Sequence, residues 1–429
     1  MMEHISIVKQ GDAEVRTVGL IVEYNPFHNG HQYHLQESVK IAHADAVVAV
    51  MSGNFLQRGE PAVMDKWART EAALRGGCDL VIELPAAYAT QAAEWFAYGA
   101  VSLLEATGVV DAFCFGTESG ELDALHDAAK LIAHEPPAFQ ALLREALEGG
   151  ISYPSAYSLA IAAYLTAVGR HDAADFPFAQ PNHTLGLHYL IALERIKGRM
   201  LPYTIRREKS EYGQTTVTDH AIASATAIRK LLLEGGDLEA SRPLVPDTTY
   251  EVLQREWTSG RSPVSWANFV QPLLHTVITH TPEQLAGYRE MTEGLEYRLL
   301  QMLPKLDNTG FETLLDALKT KRYTRTKLQR ALLSVLLHHK KEDFTAEKLA
   351  AGVEYIRVLG FTGKGQQLLR RMKKEAKLPV LLSAARSPVK SRYLELDTQA
   401  SAAYMLAQPG HASVAAMYRD FTDRPVILE

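Results

Sequence analysis

Two histidines flank an Asn-Gly pair shortly after the first apolar run of the chain. The stretch HNGH, His28–His31, follows TVGLIV (Thr17–Val22) and the turn residues EYNPF. Imidazoles can donate hydrogen bonds to phosphate oxygens and stabilise charge that builds up at a phosphoryl centre under attack, and Gly30 lets the backbone approach a ligand. The spacing predicts phosphate chemistry, with His28 in the loop and His31 at the start of a helix. Ordinary turn and cap residues are the alternative interpretation.

The common nucleotide-binding loops are absent from this turn. Neither the G-x-G-x-x-G of dinucleotide-binding folds nor the GK[ST] of P-loops follows the strand. A helix N-terminus in this position still suits phosphate, because its free N–H groups and the helix dipole place positive charge there. The turn is therefore predicted to bind phosphate through a different motif.

Apolar strands alternate with helical patterns through the first half of the chain. Short apolar runs occupy residues 17–22, 45–51, 79–85 and 111–116, and LPYTIRR at 201–207 adds a fifth. Continuous apolar strands between helices are typical of a parallel sheet covered on both faces. Right-handed crossovers then give a Rossmann-like, doubly wound α/β domain. Ligands bind at the carboxyl ends of such strands, which is where HNGH lies.

The length of 429 residues predicts two or three domains. Clear strand patterns stop after about Gly236, and amphipathic helices dominate from there to the end. We predict an N-terminal extension over 1–16, an α/β domain with a helical insertion over 17–240, and a mainly α-helical region over 241–429.

The bulk composition predicts a globular cytoplasmic protein. About half of the residues are apolar, the net charge is only −5, and the overall charge does not indicate nucleic-acid binding. The two cysteines, Cys78 and Cys114, lie in apolar runs without metal-site spacing, so buried reduced thiols are expected. The polar N-terminus lacks the apolar core of a signal peptide, and no apolar run is long enough to span a membrane.

The HNGH stretch after a first strand resembles the signature of the HxGH nucleotidyltransferase superfamily, whose members transfer AMP without a covalent enzyme intermediate. A second family mark, a Ser/Thr-rich turn ending in Ile-Arg, matches IASATAIRK at 222–230. The resemblance implies that Ser224 and Thr226 bind phosphate at a helix start and that Arg229 reaches the β- and γ-phosphates. Taken alone, this stretch also fits an ordinary N-capped helix.

Longer strings narrow the resemblance. They are GLIVEYNPFHNGHQYHL, VVAVMSGNFLQRGEPAVMDKWART, DLVIELP, FCFGTESGE, PNHTLGLHYL, KTKRYTRTKLQR and YIRVLGFTGKG. Together they are similar to the bacterial tRNA(Met) cytidine acetate ligase family, from about Thr17 to the LELD segment near the C-terminus. The resemblance implies an ATP-dependent ligase that acetylates N4 of the wobble cytidine, C34, of elongator tRNA(Met). Acetate attacks the α-phosphate of ATP, pyrophosphate leaves, and the cytidine amine then takes the acetyl group from acetyl-adenylate and releases AMP.

The resemblance assigns roles to particular residues. His28 is the main catalytic contact to the α-phosphate, and His31 supports it. The implied ATP-binding residues are Ile21, Val22, Glu23, Tyr24, Asn25, Pro26, Phe27, His28, Asn29, Gly30, His31, Gln32, Tyr33, His34, Gly116, Asn182, Arg207, Ser224, Thr226 and Arg229.

Several of these positions have a purely structural alternative. Gly116 also fits a tight turn after a strand, Asn182 an N-cap for a helix beginning near Thr184, and Arg207 a solvated charge at a strand end. Arg58, in the loop SGNFLQRGEPAV, fits either a substrate or phosphate contact or a simple loop charge.

Two basic runs in the second half predict a phosphate-binding surface. Residues 318–341 contain eight Lys/Arg and no acid, and a second run follows at 363–377. We expect no Asp or Glu side chains to balance these positive charges. The runs therefore favour an RNA-binding surface over a solvated helix face. Tyr323 lies among the charges. The candidate tRNA contacts are Lys321, Arg322, Arg325, Lys327, Arg330, Arg370 and Arg371.

Two other functions remain compatible with parts of this pattern. A metabolite adenylyltransferase would use the HNGH and SATAIR marks but leaves the basic helical region without a role. A non-catalytic RNA-binding protein would retain nucleotide as a structural ligand, against which the intact His28, Gly30 and His31 argue. Mg²⁺ is expected on the ATP phosphates. No metal site on the protein itself, no membrane association and no obligate protein partner are predicted.

Overall fold

The computed structural model describes residues 15–207, 223–320, 323–408 and 413–429. Within these residues, eight strands join in one sheet in the order β5-β4-β1-β2-β3-β6-β7, and β8 pairs with β6. The strands are β1 (Thr17–Val22), β2 (Ala46–Ser52), β3 (Leu80–Leu84), β4 (Ala112–Thr117), β5 (Leu201–Arg206), β6 (Ile356–Phe361), β7 (Val380–Leu381) and β8 (Val426–Ile427).

Helices connect and cover these strands. In the first half they are α1 (Asn29–Ala42), α2 (Lys66–Arg75), α3 (Ala86–Ala89), α4 (Ala93–Ala106), α5 (Asp123–Ile132), α6 (Pro137–Glu148), α7 (Tyr153–Ala167), α8 (His171–Ala174), α9 (Pro181–Arg195) and α10 (Ala225–Lys230). In the second half they are α11 (Asp247–Thr258), α12 (Val270–Thr279), α13 (Pro282–Ala286), α14 (Leu295–Met302), α15 (Phe311–Leu318), α16 (Arg325–Leu336), α17 (Ala346–Ala350), α18 (Gly363–Glu375), α19 (Arg392–Ala407), α20 (Val414–Met417) and α21 (Arg419–Thr422).

The first five strands form the predicted doubly wound sheet. β1 pairs in parallel with β2 and with β4, β2 pairs with β3, and β4 pairs with β5. Chain order therefore reverses between β1 and β4, and the crevice beyond the carboxyl ends of these two strands is where ligands bind in such sheets. HNGH follows β1, so the topology places it at this switch point.

Alternation along the strands divides the core into two. In β2, Val48 and Val50 pack on the face covered by α4 and α9. Val47, Ala49 and Met51 pack on the opposite face, beneath α1, α2 and helices of the second half. Because successive strand side chains point to opposite faces, a strand without polar residues must be covered on both sides.

The second half contributes strands as well as helices, which corrects the expectation that strands stop near Gly236. β6 pairs antiparallel with β3, and β7 and β8 each pair in parallel with β6. IRVLGF is a largely apolar run of the kind that is typical of a buried strand. The helical patterns on both sides of it led to the prediction of helices throughout this region. The apolar, helix-forming stretch after Pro85 forms two helices, because the chain leaves the helix between α3 and α4.

Both cysteines are buried and unbridged, as predicted. None of the described helices combines the length and the apolar character needed to cross a bilayer.

Candidate active site

The HNGH turn is built as a reciprocal helix cap. His28 is the N-cap of α1, and its Nδ1 accepts a hydrogen bond of 3.1 Å from the backbone N–H of Gly30. Nδ1 of His31 accepts from the backbone N–H of His28 at 3.3 Å. The two rings stack with their centroids 3.7 Å apart. The cap and the stacking hold both imidazoles in fixed orientations at the start of the helix, as the spacing predicted.

Burial fixes the protonation state of His28. Removal from water, with the nearby Arg207 and Arg229, lowers the pKa of His28 from 6.5 to about 3, so the ring is neutral at pH 7. Since Nδ1 accepts a hydrogen bond, the one ring proton lies on Nε2. His28 can therefore offer a neutral N–H donor to an anion without first gaining a proton.

Two further histidines surround the same position. Burial, and then His28 and Arg207, lower the pKa of His31 well below its ordinary value. Burial lowers the pKa of His34 to about 4, and Nε2 of His34 is buried without a hydrogen-bond partner among the described residues. Within the described part of the chain, positive charge for an anion in this position would come from arginines, since all three imidazoles are neutral.

Arg229 reaches the turn from α10. Its Nη1 donates to the carbonyl of Asn25 at 3.0 Å, and its Nη2 lies 3.3 Å from the hydroxyl of Thr226 and 3.5 Å from Glu60. Ser224 is the N-cap of α10 and accepts from the N–H of Ala227. The two sequence marks, HNGH at 28–31 and SATAIR at 224–229, therefore meet in space. The hydroxyl of Ser224 serves as a helix cap, as the structural alternative predicted.

The other predicted contacts lie on the β4 side of the crevice. A Cβ built on Gly116 would lie 3.1 Å from Cγ of Arg207 and 3.8 Å from the ring of His34, so this glycine leaves room between them. Asn182 is in the first turn of α9 rather than its N-cap, which is Gln180. The side chain of Asn182 donates to Glu118 at 2.8 Å.

These groups line a cleft of about 280 Å³ beyond the ends of β1 and β4. The predicted residues that line it are Ile21, Val22, Glu23, His28, Gly30, His31, Tyr33, His34, Gly116, Asn182, Arg207, Ser224, Thr226 and Arg229. Arg58 also lines it. The size and the mixture of apolar wall and convergent polar groups are those of a small-molecule site.

Six predicted residues do not line the cleft. Tyr24 and Phe27 are buried in the core beneath it, and Asn25 joins the turn to Val63 and Arg229. Asn29 donates to the carbonyl of Pro243. Pro26 and Gln32 lie on the same stretch without reaching the cleft, so the structure gives these six a supporting position.

The sequence did not single out several lining residues. Phe115, Leu185 and Tyr189 form an apolar wall from β4 and α9, and Leu56 and Glu60 come from the loop that carries Arg58. Leu185 and Tyr189 are one helical turn apart, which is the only local signal that they share a face. Ile205, Arg206 and Ala225 also belong to the lining.

Comparison with known proteins places the chain in a family. The model of the family described as HIGH Nucleotidyl Transferase matches residues 15–418. A tRNA(Met) cytidine acetate ligase of Acetivibrio thermocellus is 39% identical over 425 residues, covering 96% of this chain and 100% of the relative. The enzyme of that name from Halalkalibacterium halodurans is 40% identical over 97% of this chain and 98% of its own. The chain belongs to the tRNA(Met) cytidine acetate ligase family of HIGH nucleotidyl transferases.

Two crystal structures support this family assignment. Thermotoga maritima TmcAL, in an apo crystal form, has a TM-score of 0.88 and 35% identity, over 96% of this chain and 99% of that one. A second crystal structure of T. maritima TmcAL, bound with alpha-thio ATP, has a TM-score of 0.86 at the same identity and coverage.

The basic runs of this family member are more balanced by acids than expected. Arg325 forms a two-bonded pair with Glu312, Lys327 lies 3.3 Å from Glu293, and Arg330 lies 2.7 Å from Glu290. The second run contains its own acid, Glu375, which pairs with Arg371.

The other residues of the basic runs differ in exposure. Tyr323 is buried and donates to the carbonyl of Glu293. Arg370 is exposed, and among the described residues its side chain donates one hydrogen bond, of 3.4 Å, to Gln366. Lys321 and Arg322 lie outside the described residues.

We expect the free energy of unfolding to fall as the pH is lowered from 7 to 5. Burial lowers the pKa of His28 to about 3 and those of His34 and His188 to about 4, whereas unfolded imidazoles titrate near 6.5. Between these values the unfolded chain binds protons that the folded chain excludes. Each histidine then removes up to about 1.4 kcal/mol of stability per pH unit. Urea unfolding at pH 7, 6 and 5 measures the slope.

His188 offers a control for this pH dependence, because it does not line the cleft and stacks on Tyr157. His188→Gln should reduce the dependence of the free energy of unfolding on pH between pH 6 and 5. The expected reduction corresponds to about one bound proton, or about 1.4 kcal/mol per pH unit. An unchanged slope in this variant would contradict the assigned neutral state of the buried imidazole.

Proposed function

We propose that this protein acetylates N4 of the wobble cytidine, C34, of elongator tRNA(Met), using ATP and acetate and releasing AMP and pyrophosphate. The observation that carries the proposal is the similarity, at about 40% identity over nearly the whole chain, to proteins named tRNA(Met) cytidine acetate ligase. Such a protein works where ATP and tRNA are present, so we propose a cytoplasmic location. We predict no obligate protein partner for it.

We propose one orientation for ATP in the cleft. The apolar wall of Phe115, Leu185 and Tyr189 suits the adenine, and Gly116 leaves room for the adenosine at the end of β4. The phosphates then extend toward HNGH and α10, where Arg207 and Arg229 supply the positive charge. Alpha-thio ATP bound to T. maritima TmcAL supports a nucleotide in this family.

The first step needs alignment and charge stabilisation rather than a base. Acetate is already an anion, so its oxygen attacks the α-phosphorus while the bond to pyrophosphate breaks. The Nε2 proton of neutral His28 donates to the α-phosphate as negative charge builds up there, and His31 holds the backbone of His28 in place. Arg229 stabilises the departing pyrophosphate.

Mg²⁺ is proposed to arrive with ATP, bound to its phosphate oxygens and to water. Among the described residues, no three His, Cys, Asp or Glu side chains are grouped so that they could hold a metal ion. The cations Arg207 and Arg229 border the cleft instead. This arrangement fits a metal carried by the nucleotide, which would neutralise the phosphates during attack.

The tRNA is proposed to lie across the region of residues 241–429, with the wobble base entering the cleft. The candidate phosphate contacts remain Lys321, Arg322, Arg325, Lys327, Arg330, Arg370 and Arg371. Of the candidates described above, exposed Arg370 has the weakest contacts within the protein. Arg325, Lys327 and Arg330 are each paired with an acid, so a phosphate group that contacts these cations shares them with those acids. Unpaired anticodon bases are the part of tRNA that can be splayed into such a site.

Acetate-dependent exchange of labelled pyrophosphate into ATP tests the first step in the absence of tRNA. We expect exchange with acetate and none without it, because reversal of adenylate formation regenerates ATP. Formate and propionate serve as matched carboxylates, and their relative rates report the size of the acyl site.

Addition of tRNA(Met) tests the second step. Nucleoside analysis of the tRNA should find N4-acetylcytidine, and a transcript with uridine at position 34 should remain unmodified. Binding of this tRNA should weaken steeply with salt, since phosphate contacts release counterions. Exchange without any acetylated cytidine would instead favour a metabolite adenylyltransferase.

A further inference from the structure

The transfer step has a requirement that adenylate formation does not. When the exocyclic amine of cytidine attacks the acetyl carbon, a C–N bond forms and the C–O bond to AMP breaks. The amine nitrogen would keep a positive charge unless it loses a proton. A base within hydrogen-bond reach of that nitrogen would therefore accelerate the transfer.

The imidazoles of the cleft are poor candidates for this base. Nδ1 of His28 and Nδ1 of His31 each accept a backbone hydrogen bond that holds the turn together. His34 lies on the opposite side, against Gly116 and Arg207 where the adenosine is placed. The acceptor must come from another part of the lining.

Among the described residues, two carboxylates line the cleft, Glu23 and Glu60. Both oxygens of Glu60 are engaged: Oε1 accepts from the side chain of Gln329 at 3.2 Å, and Oε2 lies 3.5 Å from Arg229. Glu23 differs. Its Oε1 accepts from the backbone N–H of Gln57 at 2.8 Å, while Oε2 has no hydrogen-bond partner within the described part of the chain.

Glu23 lies directly after β1 and is held by two hydrogen bonds. Nη1 of Arg69 donates to its backbone carbonyl at 2.6 Å, and Gln57 fixes one carboxylate oxygen. His28 lies five residues further on at the start of α1. The carboxylate therefore shares the cleft with the proposed phosphate donor, in a position set by two strand-to-helix loops.

The loop that fixes Glu23 also contacts the second half of the chain. The carbonyl of Gly59 accepts from Nε1 of Trp266 at 3.0 Å. A Cβ built on Gly59 would lie 2.5 Å from the backbone nitrogen of Arg330, so the loop packs directly against α16. A base arriving from the region of residues 241–429 reaches the cleft on the side of this loop, where Glu23 lies.

We propose that Glu23 is the general base of acetyl transfer, accepting the proton from the cytidine N4 amine as the amine attacks acetyl-adenylate. This inference rests on the proposed function. The electron pair of the N–H bond stays on nitrogen, the pair of the C–O bond leaves with AMP, and the proton passes to Oε2 of Glu23. The carboxyl group loses the proton to solvent after AMP departs.

The electrostatic surroundings suit this role. Burial raises the pKa of Glu23 above its ordinary value, and Glu60 adds to the rise. Arg58 and Arg229 oppose it, as does the hydrogen bond from Gln57. Raising the pKa of a carboxylate toward neutrality makes it a better proton acceptor while it remains ionised at the working pH.

Chemically prepared acetyl-adenylate separates this proposal from the proposed function. The full-length protein is mixed with acetyl-adenylate and tRNA(Met), so that the first step is bypassed, and acetylated cytidine is measured in a single turnover. Glu23→Gln should transfer at least about 10²-fold more slowly than the wild type, while acetate-dependent pyrophosphate exchange falls by less than about tenfold. Glu23→Asp, which keeps a carboxylate, should recover part of the transfer rate.

The pH dependence gives a readout that a structural role would not move. Wild-type transfer should rise with pH until the Glu23 carboxyl is ionised and then level off, whereas transfer by Glu23→Gln should be slow and lack that rise. Glu60→Gln is the matched variant in the same cleft and should lose less transfer than Glu23→Gln.

The outcomes are distinct. Rapid transfer by Glu23→Gln, or a greater loss in Glu60→Gln, overturns the assignment of Glu23 while leaving the proposed function intact. Failure of the wild type both to exchange pyrophosphate and to transfer from acetyl-adenylate overturns the proposed function itself. Equal losses of exchange and transfer in Glu23→Gln overturn the base and give Glu23 a structural or ATP-binding role.

Discussion

Replacing His28 with asparagine should leave the protein folded and slow acetate-dependent pyrophosphate exchange by about 10²–10³-fold. An asparagine side-chain oxygen can accept the N–H of Gly30 in place of Nδ1, and asparagine is among the best N-cap residues. The Nε2 proton of His28 has no equivalent in asparagine. The variant therefore removes the proposed donor to the α-phosphate but preserves the cap.

Two variants at the same position complete this experiment. His28→Gln extends an amide N–H toward the place of Nε2 and should recover part of the exchange rate. His28→Ala removes the donor and the cap together, which should also cost about 0.5–2 kcal/mol of stability. Normal exchange by His28→Asn would show that the histidine acts as a cap alone.

Replacing Lys66 with methionine should lower the free energy of unfolding by about 3–5 kcal/mol. Lys66 is fully buried, and its Nζ lies 2.8 Å from Oε1 of Glu83 and 2.8 Å from Asp420. Burial alone would lower the pKa of Lys66, but Asp420 and Glu83 raise it above its ordinary value. Methionine has a similar volume without the charge, so it leaves two buried carboxylates without their common cation.

The same substitution should loosen the C-terminus. Asp420 is in α21, and Arg357 of β6 also reaches it at 3.3 Å. Urea unfolding measures the stability, and limited proteolysis should cleave near α21 in Lys66→Met before it does in the wild type. Lys40→Met is the control, because the pair of Lys40 with Glu37 is on the surface and should contribute little. Equal effects of the two substitutions would contradict a structural role for the buried cluster.

Local sequence determined much of the fold and of the phosphate side of the cleft. β1 spans Thr17–Val22 as the apolar pattern predicted, and His28 and His31 occupy the N-cap and the first turn of α1. Both follow from short-range rules, since strand burial and helix capping depend on residues a few positions apart. The HNGH and SATAIR marks are also local, so the sequence could predict a nucleotide site without showing how the two marks meet.

Tertiary structure decided which residues complete the cleft. Phe115, Glu60 and Tyr189 reach it from three different elements, and no spacing along the chain links them. The place of β6 beside β3 follows from hydrogen bonding between residues more than 270 positions apart. Pairing over such distances depends on which sheet edge is available in the tertiary structure.

Charge pairing was the other property that the sequence could not supply. The run at 318–341 contains no acid, yet Glu312, Glu293 and Glu290 each pair with one of its cations. The composition of the run determined its net positive charge and supplied the cations that we propose to contact tRNA. Only the fold decided which cations are matched, because an ion pair requires two side chains to lie within about 4 Å of each other and sets no condition on their separation in sequence.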